Sequence, residues 1–244
     1  PGDFIAQTLE DSNIQSDFVQ VDEDTRINVK LKSGQETEIN APGPKVTHAQ
    51  FEQLLSQIRR TTNDDIVIVA GSVPNSIPSD AYAQIAQITE KTGAQLVVDA
   101  EKDLVETVLP YRPLFIKPNK DELEVMFNTT VKSDEDVIKY GKEILKKGAQ
   151  SVIISLGGDG AIYVDQHQSI KAVNPQGHVV NTVGSGDSTV AGMVAGLSMG
   201  LNIDEAFQQA VASGTATAFS EDLATRDAIE NIKSQVTISV LDGE

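Results

Sequence analysis

Apolar and polar side chains alternate with a period of two through Thr25-Arg26-Ile27-Asn28-Val29-Lys30-Leu31, and again through Glu36-Thr37-Glu38-Ile39-Asn40. Lys32-Ser33-Gly34-Gln35 separates the two runs, so residues 25–40 are expected to fold back as a β-hairpin. Such a polar-faced hairpin need not join a larger sheet, and Pro42-Gly43-Pro44 closes it off. From residue 47 the period changes. Thr47 and Gln50 form a capping box, and Phe51, Leu54, Leu55 and Ile58 make the stripe of an amphipathic helix. Ile66-Val67-Ile68-Val69-Ala70 is a continuous apolar run, which predicts a strand buried on both faces.

Helix and strand then alternate. Ser79 to about Lys91 reads as helical, with Tyr82, Ile85 and Ile88 inward and Gly93 ending it. Leu96–Asp99 is a strand, residues 101–109 a helix, and Leu114–Lys117 a strand. Asp134–Lys147 is a helix closed by Gly148, and Ser151–Ser155 a further strand. This order predicts a largely parallel sheet with helices on both faces. Only a short turn separates the strands in 160–173, so those are expected to be antiparallel. Long helices fill 187–200 and 203–219, and no internal repeat is found.

Ligands collect beyond the carboxyl ends of parallel strands. The polar and glycine-rich segments fall there: Gly71-Ser72-Val73-Pro74, Asp99, Lys117-Pro118-Asn119 and Gly157-Gly158-Asp159-Gly160 each follow a strand. Asn181-Thr182-Val183-Gly184-Ser185-Gly186-Asp187 precedes a helix. The backbone N–H groups of Gly184, Ser185 and Gly186 are expected to share one anion-binding concavity at that helix N-terminus. Asp187 at its rim suits a base that takes a proton from an attacking hydroxyl. Spacing alone equally allows a plain glycine turn followed by a helix-favouring acid. There is no G-x-x-x-x-G-K-[ST] loop, and Gly184-x-Gly186 lacks the third glycine of the dinucleotide fingerprint, where Thr189 stands.

Composition narrows the partners. The net charge of −17 argues against nucleic acid, whose backbone it would repel. The absence of cysteine excludes disulfides and thiolate metal sites and fits a reducing compartment. His48, His167 and His178 show no metal-ligand spacing, and no apolar run is long enough to span a bilayer. Among the remaining motifs, Asn119-x-x-Glu122 suits either a hydrated Mg²⁺ beside phosphates or a helix capping box. The glycines of Ser155-Leu156-Gly157-Gly158-Asp159-Gly160 allow either close approach of a nucleotide or a tight hairpin. Arg26 is a planar cation suited to a phosphate monoester, or else a solvated strand residue.

Taken together, these segments resemble the ribokinase-like PfkB sugar kinases: 181–187 is similar to the family signature, and 71–74, 117–122 and 155–160 recur in the family's order. The resemblance spans essentially the whole chain. Within the family, 25–30 and 36–44 look most like the 1-phosphofructokinase branch, with tagatose-6-phosphate kinases near it. The implied fold is a three-layer α/β/α kinase domain (residues 1–244) with a mostly parallel central sheet. Residues 25–40 would be part of a small β lid, and 45–244 the main domain with the nucleotide site. The implied reaction is ATP-dependent, Mg²⁺-assisted phosphorylation of fructose 1-phosphate.

In that reading Asp187 is the base, and Gly184, Ser185 and Gly186 stabilise the transferring phosphoryl group. Asn119 and Glu122 organise metal and phosphates. Ser155, Leu156, Gly157, Gly158, Asp159 and Gly160 contact ATP, together with Asn119, Gly186 and Asp187. Arg26 and Asp187 meet the phosphosugar. A cytoplasmic homodimer joined through the lid, without nucleic-acid or membrane partners, is also implied. Asn181 stands where many members carry Asp. The resemblance further implies that the family's first strand and glycine-rich sugar-binding segment lie before Pro1. A non-catalytic sensor of nucleotide or phosphosugar is the alternative function class.

Overall fold

A computed structural model describes residues 2–33, 35–39 and 41–243. The chain begins with an unforeseen helix, α1 (Gly2–Asp11), and the hairpin follows as β1 (Val29–Ser33) and β2 (Gln35–Ile39). Val29 pairs with Ile39 and Ser33 with Gln35, so the strands start at Val29 rather than Thr25 and run past Lys32. Gly34, at the expected turn, and Asn40 lie outside the described residues. Arg26 therefore precedes the strand instead of lying in it. As expected, the hairpin is a separate two-stranded sheet.

The main body alternates α2 (His48–Ile58), β3 (Ile66–Ala70), α3 (Ala81–Thr92), β4 (Gln95–Asp99), α4 (Lys102–Val108), β5 (Phe115–Ile116), α5 (Lys120–Phe127), α6 (Asp134–Lys147) and β6 (Val152–Ser155). Then come β7 (Ala161–Val164), β8 (Gln168–Val173), α7 (Ser185–Ser198), α8 (Ile203–Ala218), α9 (Arg226–Lys233) and β9 (Thr237–Gly243). Local chemistry sets many of the boundaries. Thr47 and Gln50 close the expected capping box on α2. Gly93, at φ 82°, ends α3 in the left-handed region where glycine carries no Cβ penalty. Ser133 caps α6, which carries acids in its first turn and lysines in its last, as the helix dipole favours.

The strands lie in chain order, β3-β4-β5-β6-β7-β8-β9. Neighbours from β3 to β6 are parallel and those from β6 to β9 antiparallel, so the sheet is mixed and its parallel half ends at β6. Alternate residues face opposite layers. Leu96, Val98, Ile116, Val152 and Ile154 pack with α2 to α6. Val97, Phe115, Ile153 and Tyr163 pack with α7, α8 and α9. Each fully buried large side chain, such as Phe115 or Phe207, contributes about 1.5–3 kcal/mol. This is the three-layer α/β/α arrangement.

One expectation fails here. Ile66–Ala70 is not buried on both faces: β3 is an end strand of the described sheet, and Ile68 is 45% exposed. Apolarity makes a strand but does not place a helix over it, and α7 and α8 pack against the strands further in. Those two helices approach closely because their contact is built from small residues. A Cβ on Gly192 would lie 2.9 Å from the Gln209 carbonyl, and one on Gly196 2.8 Å from Ala206 Cα. A Cβ on Gly214 would overlap Thr189 Oγ1.

Candidate active site

The parallel strands deliver their polar ends to one edge of the sheet. Beyond β3, Gly71 adopts φ 81° and donates its N–H to the Asp99 carbonyl at 2.9 Å. The Tyr82 hydroxyl donates to the Gly71 carbonyl at 2.8 Å. Burial, together with the Asp99 charge, pushes Tyr82 up to about 12, so it stays a neutral donor. The next residue, Ser72, accepts from Arg26 Nη1 at 2.7 Å. This bond brings the segment before the hairpin to the end of β3, and Arg26 remains exposed there.

Asp99 ends β4 and Lys117 follows β5; Nζ and Oδ2 are 3.2 Å apart, with the side chains 19% and 7% exposed. The pair lies directly under the glycine-rich turn. A Cβ on Gly186 would sit 3.2 Å from Lys117 Nζ and 4.0 Å from Asp99 Oδ2. A side chain at 186 would thus press on the Lys117 ammonium beneath it. Burial raises the Asp99 carboxyl above its ordinary 3.8; Lys117 opposes this and the Asp187 charge adds to it. We therefore expect Asp99 to titrate above 3.8 by carboxyl-carbon NMR, and Asp187→Asn to lower its midpoint. An unmoved midpoint would show the two acids to be uncoupled. Between 3.8 and that midpoint the native state holds more of this proton than the unfolded chain, so this group's contribution to stability falls as pH rises.

The α7 N-terminus is held in place by α8. Gly184, at φ 79°, is the N-cap, and a Cβ there would lie 2.8 Å from Leu223. Ser185 Oγ donates to the Gly214 carbonyl at 2.7 Å, and the Ser188 and Thr217 hydroxyls are 2.9 Å apart. Ser188 makes the first helical bond, to the Gly184 carbonyl at 2.8 Å, so the amides of Gly186 and Asp187 precede it. The expected trio of amides is modified: the Ser185 N–H donates to the Thr182 carbonyl at 3.2 Å. A three-residue Gly-x-Gly turn leaves one amide facing back along the chain. Asp187 is exposed beside this turn.

A cleft of about 510 Å³ runs from this turn across the sheet edge. Lys117, Asn119, Ser155, Gly157, Gly158 and Gly160 line it, as do Ser185 and Gly186. Leu156 and Asp159 belong to the same β6–β7 turn, whose Leu156 N–H bonds the Gly160 carbonyl at 2.8 Å. The glycines divide into two kinds. A Cβ on Gly160 would overlap the Ala172 carbonyl, whereas one on Gly157 or Gly158 would meet nothing within 4 Å. Gly160 serves the hairpin, and the other two face open cleft.

Asn119 and Glu122 form the capping box of α5. Asn119 N–H donates to Glu122 Oε2 and Glu122 N–H to Asn119 Oδ1, each at 2.8 Å. Glu122 Oε1 is not used by that box. Among the described residues no group of three or more acids or histidines could cage a metal. The one carboxylate oxygen left outside the box, Glu122 Oε1, is a hard oxygen donor of the kind a hydrated divalent cation accepts. Among the described residues no helix is long and apolar enough to cross a membrane.

Sequence reading singled out the segments but missed the Asp99–Lys117 pair as a unit. Its signal was present: each residue is the polar terminus of an apolar strand.

Comparison with known proteins bears on the family and the fold. Residues 1–228 match the family described as "pfkB family carbohydrate kinase". The chain is 41% identical over 240 residues to 1-phosphofructokinase of Bacillus subtilis, covering 98% of this chain and 79% of that one. It is 35% identical to D-tagatose-1-phosphate kinase of Bacillus licheniformis, with 98% and 79% covered. The crystal structure of a candidate phosphofructokinase from Staphylococcus aureus superposes with a TM-score of 0.92 at 80% identity, covering all of this chain and 80% of that one. Phosphofructokinase-2 of Escherichia coli in complex with substrates and products gives 0.90 at 27% identity, covering 96% and 78%. The chain belongs to the pfkB family of carbohydrate kinases, phosphotransferases that act on sugar hydroxyl groups.

Proposed function

We propose that the protein transfers the γ-phosphoryl group of ATP to the 6-hydroxyl of fructose 1-phosphate, giving fructose 1,6-bisphosphate. The observation that carries this choice of sugar is the 41% identity to a 1-phosphofructokinase along 98% of the chain. The relative named for tagatose 1-phosphate supports a ketose 1-phosphate as the acceptor class. The structural relative solved with fructose-6-phosphate stands at 27% identity.

Phosphoryl transfer asks for alignment and charge stabilisation more than covalent chemistry. ATP lies along the cleft with Gly157 and Gly158 against its backbone-accessible face and its terminal phosphate at the α7 N-terminus. The amides of Gly186 and Asp187 and the Lys117 ammonium supply positive potential there; Ser185 N–H joins them if its bond to Thr182 yields. Asp187, exposed beside that turn, accepts the proton of the attacking hydroxyl. Asn119 and Glu122 would hold Mg²⁺ through its bound waters, and the ion would supply neutralisation of phosphate charge. Arg26, docked on Ser72 at the sheet edge, reaches the phosphate already on the sugar. The β1–β2 hairpin is part of a lid over the sugar and forms the contact of a homodimer.

Removing one charge-assisted contact to a bound phosphate costs about 1.5–3 kcal/mol. We therefore expect Arg26→Ala to raise KM for fructose 1-phosphate by at least tenfold and leave KM for ATP within about twofold. Equal increases in both would make Arg26 a structural residue.

The function itself is tested by coupled measurement of ADP release with fructose 1-phosphate, tagatose 1-phosphate, tagatose 6-phosphate and fructose 6-phosphate in parallel. The highest kcat/KM is expected on fructose 1-phosphate. A preference for either 6-phosphate would refute the assignment, and nucleotide binding without turnover of any sugar would favour a sensor.

A further inference from the structure

On the wall of the cleft, three segments of chain meet on one side chain. Asn174, just after β8, donates from Nδ2 to the Gly157 carbonyl at 3.0 Å. Its Oδ1 lies 2.8 Å from the Thr215 hydroxyl of α8, whose single proton is shared with the Val211 carbonyl, also at 2.8 Å. A carbonyl only accepts, so Gly157 fixes which end of the amide faces it. The same carbonyl accepts the Gly160 N–H at 3.2 Å, the bond that closes the β6–β7 turn. Asn174 therefore grips the turn at its closing point. Open space surrounds the Cβ directions of Gly157 and Gly158, so side-chain packing does not hold them there and hydrogen bonds do. Three residues further on, Gly177 lies flat on the Phe219 ring, where a Cβ would overlap the aromatic carbons. The segment 174–177 thus meets α8 at Thr215 and its C-cap Phe219, and Asn174 also bonds the glycine turn. Asn174, Gly177, Thr215 and Phe219 all face the same cleft as Gly157 and Gly158.

We infer that Asn174, oriented by Thr215, is a positioning residue for the nucleotide, setting the Gly157-Gly158 turn in place before ATP arrives. This rests on the reading of the cleft as the ATP site. A turn fixed beforehand is not ordered at the expense of binding, whereas a loosened one is. Neither Asn174 nor Thr215 bonds the α7 N-terminus or Arg26 through its side chain, so loss of the relay should fall mainly on ATP.

The test compares Asn174→Ala, Asn174→Leu, Thr215→Val and Thr215→Ser for melting temperature, for KM and kcat with fructose 1-phosphate, and for Kd of a non-hydrolysable ATP analogue by calorimetry without sugar. Loss of one or two hydrogen bonds predicts a rise of about three- to tenfold in ATP KM and analogue Kd for both Asn174 variants and for Thr215→Val. The sugar KM and kcat should stay within about twofold, and Thr215→Ser, which keeps the hydroxyl, should match wild type. Asn174→Leu preserves volume and guards against a packing effect in the alanine variant. An unchanged Kd, a sugar KM rising in step with that of ATP, or a Thr215→Ser variant as weak as Thr215→Val would overturn the inference. If no phosphosugar is turned over, the assigned reaction fails while the calorimetric Kd still decides the role of Asn174.

Discussion

Replacing Asp187 by Asn should lower kcat by about 10²–10⁴-fold while ATP affinity stays within about twofold, because general-base catalysis has that magnitude and the amide keeps the carboxylate's shape. The expectation follows from placement. Asp187 lies in the first turn of α7, and its N–H precedes the first helical bond. Its side chain is exposed, and its charge is felt by Asp99. It thus stands where, in the proposed reaction, a hydroxyl can approach the α7 N-terminus, and its backbone N–H is kept when the side chain is altered. Turnover within tenfold of wild type, with pre-steady-state traces showing chemistry still fast, would remove Asp187 from the base role.

Lys117→Met should be the most damaging change to stability within the site. The lysine is 7% exposed and its partner Asp99 19% exposed. Removing one member of a buried pair leaves the other without compensation and costs about 3 kcal/mol or more. The midpoint of Asp99 should rise further once the cation that opposes burial is gone. Turnover should also fall, since the ammonium lies beneath Gly186, where the proposed function seats the terminal phosphate. Pairing Lys117→Met with Asp99→Asn should recover part of the stability without recovering activity. Urea denaturation of the single and double variants measures this directly. A single variant within about 0.5 kcal/mol of wild type would mean the pair is not the anchor of the site.

How much of this was legible from residues alone depended on whether the information was local. Capping chemistry is local: Thr47 and Gln50 start α2, and Gly93 and Gly148 end α3 and α6, as their residue types led one to expect. The βα alternation is local too, and it placed the polar strand ends along one edge. What failed was tertiary. Ile66–Ala70 looks like an interior strand, but its burial depends on which helices lie above it. The β9 strand pairs only through its distant partner β8, across a register shift at Ser169/Ile170. Arg26 fits an alternating strand pattern, yet the pairing begins at Val29 and its guanidinium turns to Ser72. Asn119 and Glu122 show the limit from the other side. Their spacing allowed both a capping box and a metal partner, and the box formed by their main chains and side chains leaves a carboxylate oxygen for the second role.

The account turns on phosphoryl transfer occurring at the α7 N-terminus. A crystal structure with fructose 1-phosphate and a non-hydrolysable ATP analogue measures that directly. The terminal phosphate should lie within hydrogen-bond reach of the Gly186 and Asp187 amides, with the sugar 6-hydroxyl between it and the Asp187 carboxylate. A terminal phosphate seated elsewhere along the sheet edge, with Asp187 facing solvent, would contradict it.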